Sequence, residues 1–525
     1  MRLRPTLTAV LAAGALGALG GTAAMGGSAA LAADDSRRGG QSIDTKADLT
    51  PFEQFTPLAA SAPCPGEPSG RRAQPFLIPD GFEQQVVAEE RDLGTNENTD
   101  NWDMSTQNEF GKDAGRYVYR THENRRGQAS QVSLTDLRTG RTEILAERDD
   151  WEAFDGIVWT PWGTILAAEE VITAGARDPQ VPKAEAGLVY EFFIDRDDPS
   201  KLDPSREPMT APGDGTTDTM RDGIRARPAL GAKSHEGMRF DRRGNLYGIA
   251  ESRGDTTADQ SGGIFRFVPD RKGDLSSGQL EAFDSPNGQD GEGIWLELDR
   301  ELVQVNADRQ AERQGANEYM RPEDVETGQS TGKDRNNGGN TLYVALTEGD
   351  DEGVLAIDLS QPDRPFAYDY VGKQAGNASE EEGFDAPDNL ALDSKGNLVI
   401  AEDTGGTPPT KTTGDDYFVA APPRGDDDDD ESGSRHQPAS TVQRFASLKD
   451  CIGEPSGPYF ALAGTEKFAR KNPDPRVANT VGGETLFAHR QHAGQTSPID
   501  QLVAISPVDD EDEDVADDED DDGDS

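Results

Sequence analysis

A degenerate unit recurs along this chain, and it constrains the fold more than any other feature. The unit is an acidic residue, a short apolar strand, a turn, and a second strand that ends in acids. Four copies are clear: FDGIVWTPWGTILAAEE from Phe154, HEGMRFDRRGNLYGIAESRG from His235, PEDVETGQSTGKDRNNGGNTLYVALTEGDD from Pro322 and PDNLALDSKGNLVIAEDTGG from Pro387. Each is followed by a further strand-like run, GLVYEFFID, GGIFRFVPD, GVLAIDL and TVQRFAS in turn. Two weaker copies flank them, GRYVYRTHEN around Tyr119 and GGETLFAHRQHAG around Phe487. The total is about six units, unevenly spaced because the loops carry long insertions.

Short strands in repeated units must hide their edges, and radial repetition does so. The expectation is an all-β fold, a β-propeller of about six blades with long loop insertions; paired β-sandwiches or a solenoid are the alternatives. The 58 glycines and 33 prolines, with only 33% hydrophobic residues, suit many turns and short strands better than long helices.

Outside the repeats, MRLRP followed by an Ala/Leu/Gly-rich run to Leu31 reads as a signal peptide over residues 1–32, cleaved after Ala32. This implies a secreted, extracellular chain. No later run is apolar enough for a membrane span. Residues 33–74 read as a linker containing Cys64, 75–507 as the propeller, 408–440 as an acidic low-complexity insertion, and 508–525 as a disordered acidic tail.

The two cysteines are Cys64, in CPGEPSG, and Cys451, in CIGEPSG. In an oxidising compartment an even pair favours a disulfide, with two buried thiols as the alternative. A bridge would fasten the start of the propeller to its final turn and stabilise the ring by a few kcal/mol. The shared GEPSG reads as a pair of matching turns.

A formal charge of -49 excludes nucleic acid as a partner and favours divalent cations. It also makes a monomer the expected state. In a propeller, equivalent strand positions meet on the axis. The acids opening the units are Asp155, Glu236, Glu323 and Asp388; those closing the second strands are Glu169, Glu170, Glu251, Glu348 and Glu402, with Glu123 in the first weak copy. Such a ring repels itself unless cations sit inside it, and oxygen donors without thiolates suit Ca²⁺. His122, His235, His489 and His492 fall in the units, where packing or orienting a carboxylate is the expected role. No P-loop, HExxH or G-x-S-x-G motif occurs outside the leader.

The stretches DGIVWTPWGTILAAEE, SHEG, GGIFRFVP, GANEYMRPED and ETLFAHRQHAG resemble, in order, motifs of the PhoX-type alkaline phosphatases. The resemblance implies a secreted propeller whose funnel holds calcium together with iron and hydrolyses phosphate monoesters. It implies Glu123, Glu169, Glu170, Glu236 and Glu323 as metal ligands; the ring of acids adds Asp388 and Glu402. Arg253, beside Glu251, is the candidate phosphate binder. Two departures stand out. A cysteine that the family places directly before the paired glutamates, an iron ligand there, is matched here by Ala168, and MRLRP lacks the twin arginines of the family's export signal. A non-catalytic calcium-binding propeller and a lactonase-like propeller hydrolase, the latter suggested by PDNLALDSKGNLVIAED, remain alternatives.

Overall fold

The computed structural model describes residues 50–508, apart from 65–72, 95–100, 126–129, 174–177, 209–220, 253–261, 286–289, 329–338, 407, 424–435 and 492–498. Six antiparallel sheets of four or five strands follow one another along the chain, and together they are a six-bladed β-propeller. The inner strands are Trp102–Gln107, Phe154–Trp159, Met238–Phe240, Pro322–Glu326, Pro387–Leu392 and Glu454–Phe460. Blades one to six are numbered by them.

The four clear copies each open on an inner strand. The two weak copies do not: Tyr117–His122 and Leu486–Gln491 are second strands, and the inner strands before them begin at Trp102 and Glu454. The GEPSG after Cys451 is therefore the start of an inner strand rather than a turn. Tolerance of proline at the beginning of a strand makes the two hard to tell apart by composition. Asp416–Ala421, inside the stretch read as an acidic insertion, is the third strand of blade five, and TVQRFAS is its fourth. The aspartate run itself lies outside the described residues, as do the leader and the acidic tail.

The ring closes by shared strands. Phe82–Glu89, from the N-terminal side, pairs with Gln501–Pro507 as the outermost strand of blade six. Phe76–Leu77 likewise adds an outer strand to blade five. The segment read as a linker joins the core: Phe52 packs against Phe82, Phe445 and Phe460 at centroid distances of 4.9–5.3 Å. Cys64 and Cys451 are bonded as a disulfide with Cα atoms 5.8 Å apart, and the Cys64 amide donates to the Thr412 carbonyl at 2.9 Å. The bridge thus pins the incoming chain to the junction of blades five and six.

Apolar side chains fill the spaces between neighbouring blades. Trp151, Phe154 and Tyr190 of blade two pack with Tyr119 of blade one, and Leu166, Ala168 and Val189 pack with Met238 and Phe265 of blade three. Close to the axis there is no room even for a methyl group. A Cβ on Gly156 would collide with the Glu236 carbonyl, and one on Gly237 with the Asp324 carboxylate. No helix among the described residues is long and apolar enough to cross a membrane.

Candidate metal centre

A repeated backbone device sets the mouth of the channel. The residue just before the inner strand is in the left-handed region in four blades: Asn101 (φ 33°), Ala153 (φ 45°), Arg321 (φ 48°) and Ala386 (φ 45°). Its carbonyl accepts the amide of the residue at the end of the second strand, Glu123, Glu170, Thr347 and Asp403 respectively, at 2.8–3.0 Å. In blade three Ser234 does the same for Glu251 at 3.0 Å. Left-handed conformations cost a non-glycine residue on the order of 1–3 kcal/mol, so their recurrence marks a geometry the fold imposes.

The device lines up two tiers of acids. Asp103, Asp155, Glu236, Glu323, Asp388 and Glu454 sit at or just before the start of the six inner strands, and Glu123, Glu170, Glu251 and Asp403 end second strands. Among the described residues, carboxylate oxygens of Asp155, Glu170 and Glu236 lie within 4.8 Å of one another, and so do those of Asp388, Asp403 and Glu454. These triads face each other from blades two and three and from blades five and six. Among the described residues, Asp155 Oδ1 is buried with no hydrogen-bond donor. Gln491 joins the tiers of blade one, its Nε2 donating to Glu123 at 3.0 Å and to Asp103 at 3.3 Å.

Burial, then mutual repulsion, pushes the Asp155, Glu170, Glu236 and Glu454 carboxyls well above their ordinary range. Asp103 and Glu323 are raised by burial in the same way, the latter opposed by Arg321. Asp388 is pushed up to about 7 by burial and by Asp403. A buried group of like charges holds together in the metal-free state only by taking up protons, and a bound cation removes that need.

One guanidinium reaches into the cluster. Arg321 Nε lies 2.6 Å from Glu323 and 3.1 Å from Glu251, and Nη2 lies 3.3 Å from Asp403. The contact to Glu323 is an ion pair without directed hydrogen-bond geometry, since that oxygen finds no aligned donor.

Glu123, Glu170, Glu236, Glu323 and Asp388, all anticipated from the sequence, converge here. Glu169 and Glu402 do not. Glu169 accepts the amides of Glu152 and Leu188, both at 3.0 Å, and Glu402 accepts those of Asp385 at 2.8 Å and Asp416 at 3.2 Å. The reason is strand alternation: adjacent residues point to opposite sides, so of each acidic pair only Glu170 and Asp403 face the channel. Asp103, Asp403, Glu454 and Arg321 are additional members. The signal for Asp403 is the match of AED at the end of its strand with AEE in blade two, whereas Glu454 is hidden inside a motif that reads as a turn.

Arg253 and His492 lie outside the described residues. The remaining histidines of the units are held by protein partners. His122 bonds Ser133 and Gln131, His235 bonds Lys233 and the Gly231 carbonyl, and His489 bonds Ser105. Ala168 is wholly buried in the apolar space between blades two and three.

A profile of the family described as alkaline phosphatase PhoX matches residues 155–461. The chain belongs to the PhoX family. The PhoX match begins at Asp155 and takes in the inner strand of every blade except the first. Pseudomonas fluorescens PhoX in complex with vanadate, a transition state analogue, is similar at a TM-score of 0.53 and 16% identity, over 86% of this chain and 98% of that one. Looser matches include a gluconolactonase from Xanthomonas campestris (TM-score 0.37, 10% identity, 87% and 99% covered). A luciferin-regenerating enzyme is similarly distant (TM-score 0.41, 8% identity, 80% and 95% covered). No curated protein matches the sequence significantly. PhoX membership implies a metal-dependent hydrolase of phosphate monoesters.

Proposed function

We propose that this chain hydrolyses phosphate monoesters at the axial carboxylate cluster when it is loaded with hard divalent cations, calcium foremost. The observation that carries the reading is the pair of triads, Asp155, Glu170 and Glu236 opposite Asp388, Asp403 and Glu454, with the guanidinium of Arg321 between the blades that hold them. Three carboxylate oxygens within 4.8 Å can close on an ion that takes oxygen at about 2.3–2.6 Å. The donors are all oxygen, and Ala168 offers no soft ligand, so the set suits calcium better than iron.

Bound cations would act as Lewis acids toward the phosphoryl oxygens. The chain's own part is to hold, orient and neutralise. The carboxylates fix the cations from rigid strand ends, and burial keeps the local dielectric low. Arg321 presents a planar, permanently charged donor suited to two phosphoryl oxygens at once. Its partners in this structure, Glu251, Glu323 and Asp403, hold the guanidinium at the edge of the cluster.

The leader and the disulfide both support export to an oxidising compartment. N-terminal sequencing of the protein from culture medium is expected to begin at Ala33; an uncleaved, cell-retained chain would contradict export. The direct test of the activity is release of nitrophenol from p-nitrophenyl phosphate at alkaline pH, with calcium and then with chelator. Calcium-dependent turnover is expected. Calcium binding without turnover would leave a binding propeller.

A further inference from the structure

The rear face of the propeller, opposite the acid-lined mouth, carries an anomaly of the other sign. A cavity of about 720 Å³ between blades two and three is lined by Arg196, Arg206, Arg227, Arg271 and Lys272, against the two carboxylates of Glu191 and Asp274. Both carboxylates are already engaged, Glu191 by Arg227 and Asp274 by Arg271 at 2.6 Å. Arg196, Arg206 and Lys272 form no ion pair among the described residues. Among the described residues Arg206 donates to main-chain carbonyls, those of Gly163 at 2.8 Å, Trp162 at 3.1 Å and Ile194, and Lys272 to the Arg242 carbonyl at 3.2 Å. In a chain with 100 acidic and 51 basic residues, three cations without an ion pair among the described residues converge on one cavity, and an anion would complete it.

We propose that this pocket is the docking site of the chain's own acidic segment, residues 509–525. The segment holds 13 acids and no basic residue. It leaves the fold on the correct face. Gln501–Pro507 runs parallel to the inner strand of its blade, since both pair antiparallel with Leu486–Gln491, and so ends at the rear. The pocket's turns are at the rear by the same logic: residues 160–163 follow an inner strand, and the turn at Arg271–Asp274 closes a third strand. Seventeen residues reach at most about 60 Å when extended. Tethering gives the segment an effective concentration on the order of millimolar, which a free anion rarely matches.

Carbodiimide treatment of the full-length chain at low salt, followed by peptide mapping, tests this. The expected product joins Lys272 to a carboxylate within 509–525, in a yield that falls about fivefold or more near 1 M salt, where the screening length is only about 3 Å. Arg196 is exposed, so Arg196→Gln is expected to lower the yield without unfolding the protein. Lys183 and Glu301, 3.2 Å apart on the surface, are the internal control. The proposal is overturned if the control link forms while Lys272 is joined to nothing, or to a carboxylate outside 509–525 such as Asp214 or Asp218. A link formed between isotopically distinct copies would also overturn it.

Discussion

Neighbouring glutamates with identical side chains have opposite fates in this molecule. Glu170 faces other carboxylates, whereas Glu169 straps two main-chain amides inside its blade, as Glu402 does in blade five. Substituting Glu236→Gln or Glu454→Gln is therefore expected to remove bound calcium, read by elemental analysis of the purified protein. Glu169→Gln and Glu402→Gln should keep the metal and instead lower stability by about 1–3 kcal/mol each, because one amide of each pair then meets a donor. Arg321→Met should leave calcium content unchanged and reduce turnover by about 100-fold, the scale of losing one charged donor to a phosphoryl group. Metal loss in the Glu169→Gln variant, or retention in Glu454→Gln, would reverse the two assignments.

The raised carboxyls also give the metal-free protein a pH dependence. The folded-state values of Asp155, Glu170 and Glu236 lie above the unfolded ones, as does that of Asp388 at about 7, so the native state binds more protons than the unfolded chain. Stability is then full below the ordinary carboxylate range and falls as pH rises through the folded values. Chelated protein should melt at a lower temperature at pH 9 than at pH 5, and calcium should abolish most of that difference; parallel melting curves with and without chelator would contradict a cation-filled cluster.

At the scale of the strand and the blade, the acid at the start of an inner strand is legible wherever the following residues alternate cleanly, as in FDGIVW and PDNLAL. It is not legible in blades one and six. NWDMST has a polar alternate face, and GEPSGPYF carries two prolines and two glycines, so neither has the apolar period of a strand. Long insertions also disguise the third strand of blade five, which lies next to an aspartate run that dominates local composition. Which member of an acidic pair faces the axis depends on register, and register is set by bulges that sequence pattern does not mark. Each of blades one, two, four and five has an irregularity between its first two strands, beside the acids. Close approach of inner strands is a further property of elements. Gly156→Ala should destabilise the fold by about 1–3 kcal/mol through overpacking against the Glu236 carbonyl, measured by chemical denaturation. A neutral effect would mean that the two strands can part.

For the molecule as a whole, the bridge between Cys64 and Cys451 encloses 387 positions of sequence separation and lies beside the junction through which the ring closes. Reduction, or a Cys64→Ser and Cys451→Ser double variant, should lower the melting temperature by on the order of 5 °C while leaving metal content intact. The closing strand pair, Phe82–Glu89 with Gln501–Pro507, has a consequence for biogenesis. A chain that emerges from a ribosome starting at its N-terminus cannot seal this ring until residues 501–507 are free. Glu454 and Gln491, in the final blade, arrive equally late. The full set of candidate ligands therefore assembles only after the final blade has been synthesised, which makes metal loading an event that follows translation rather than one that accompanies it.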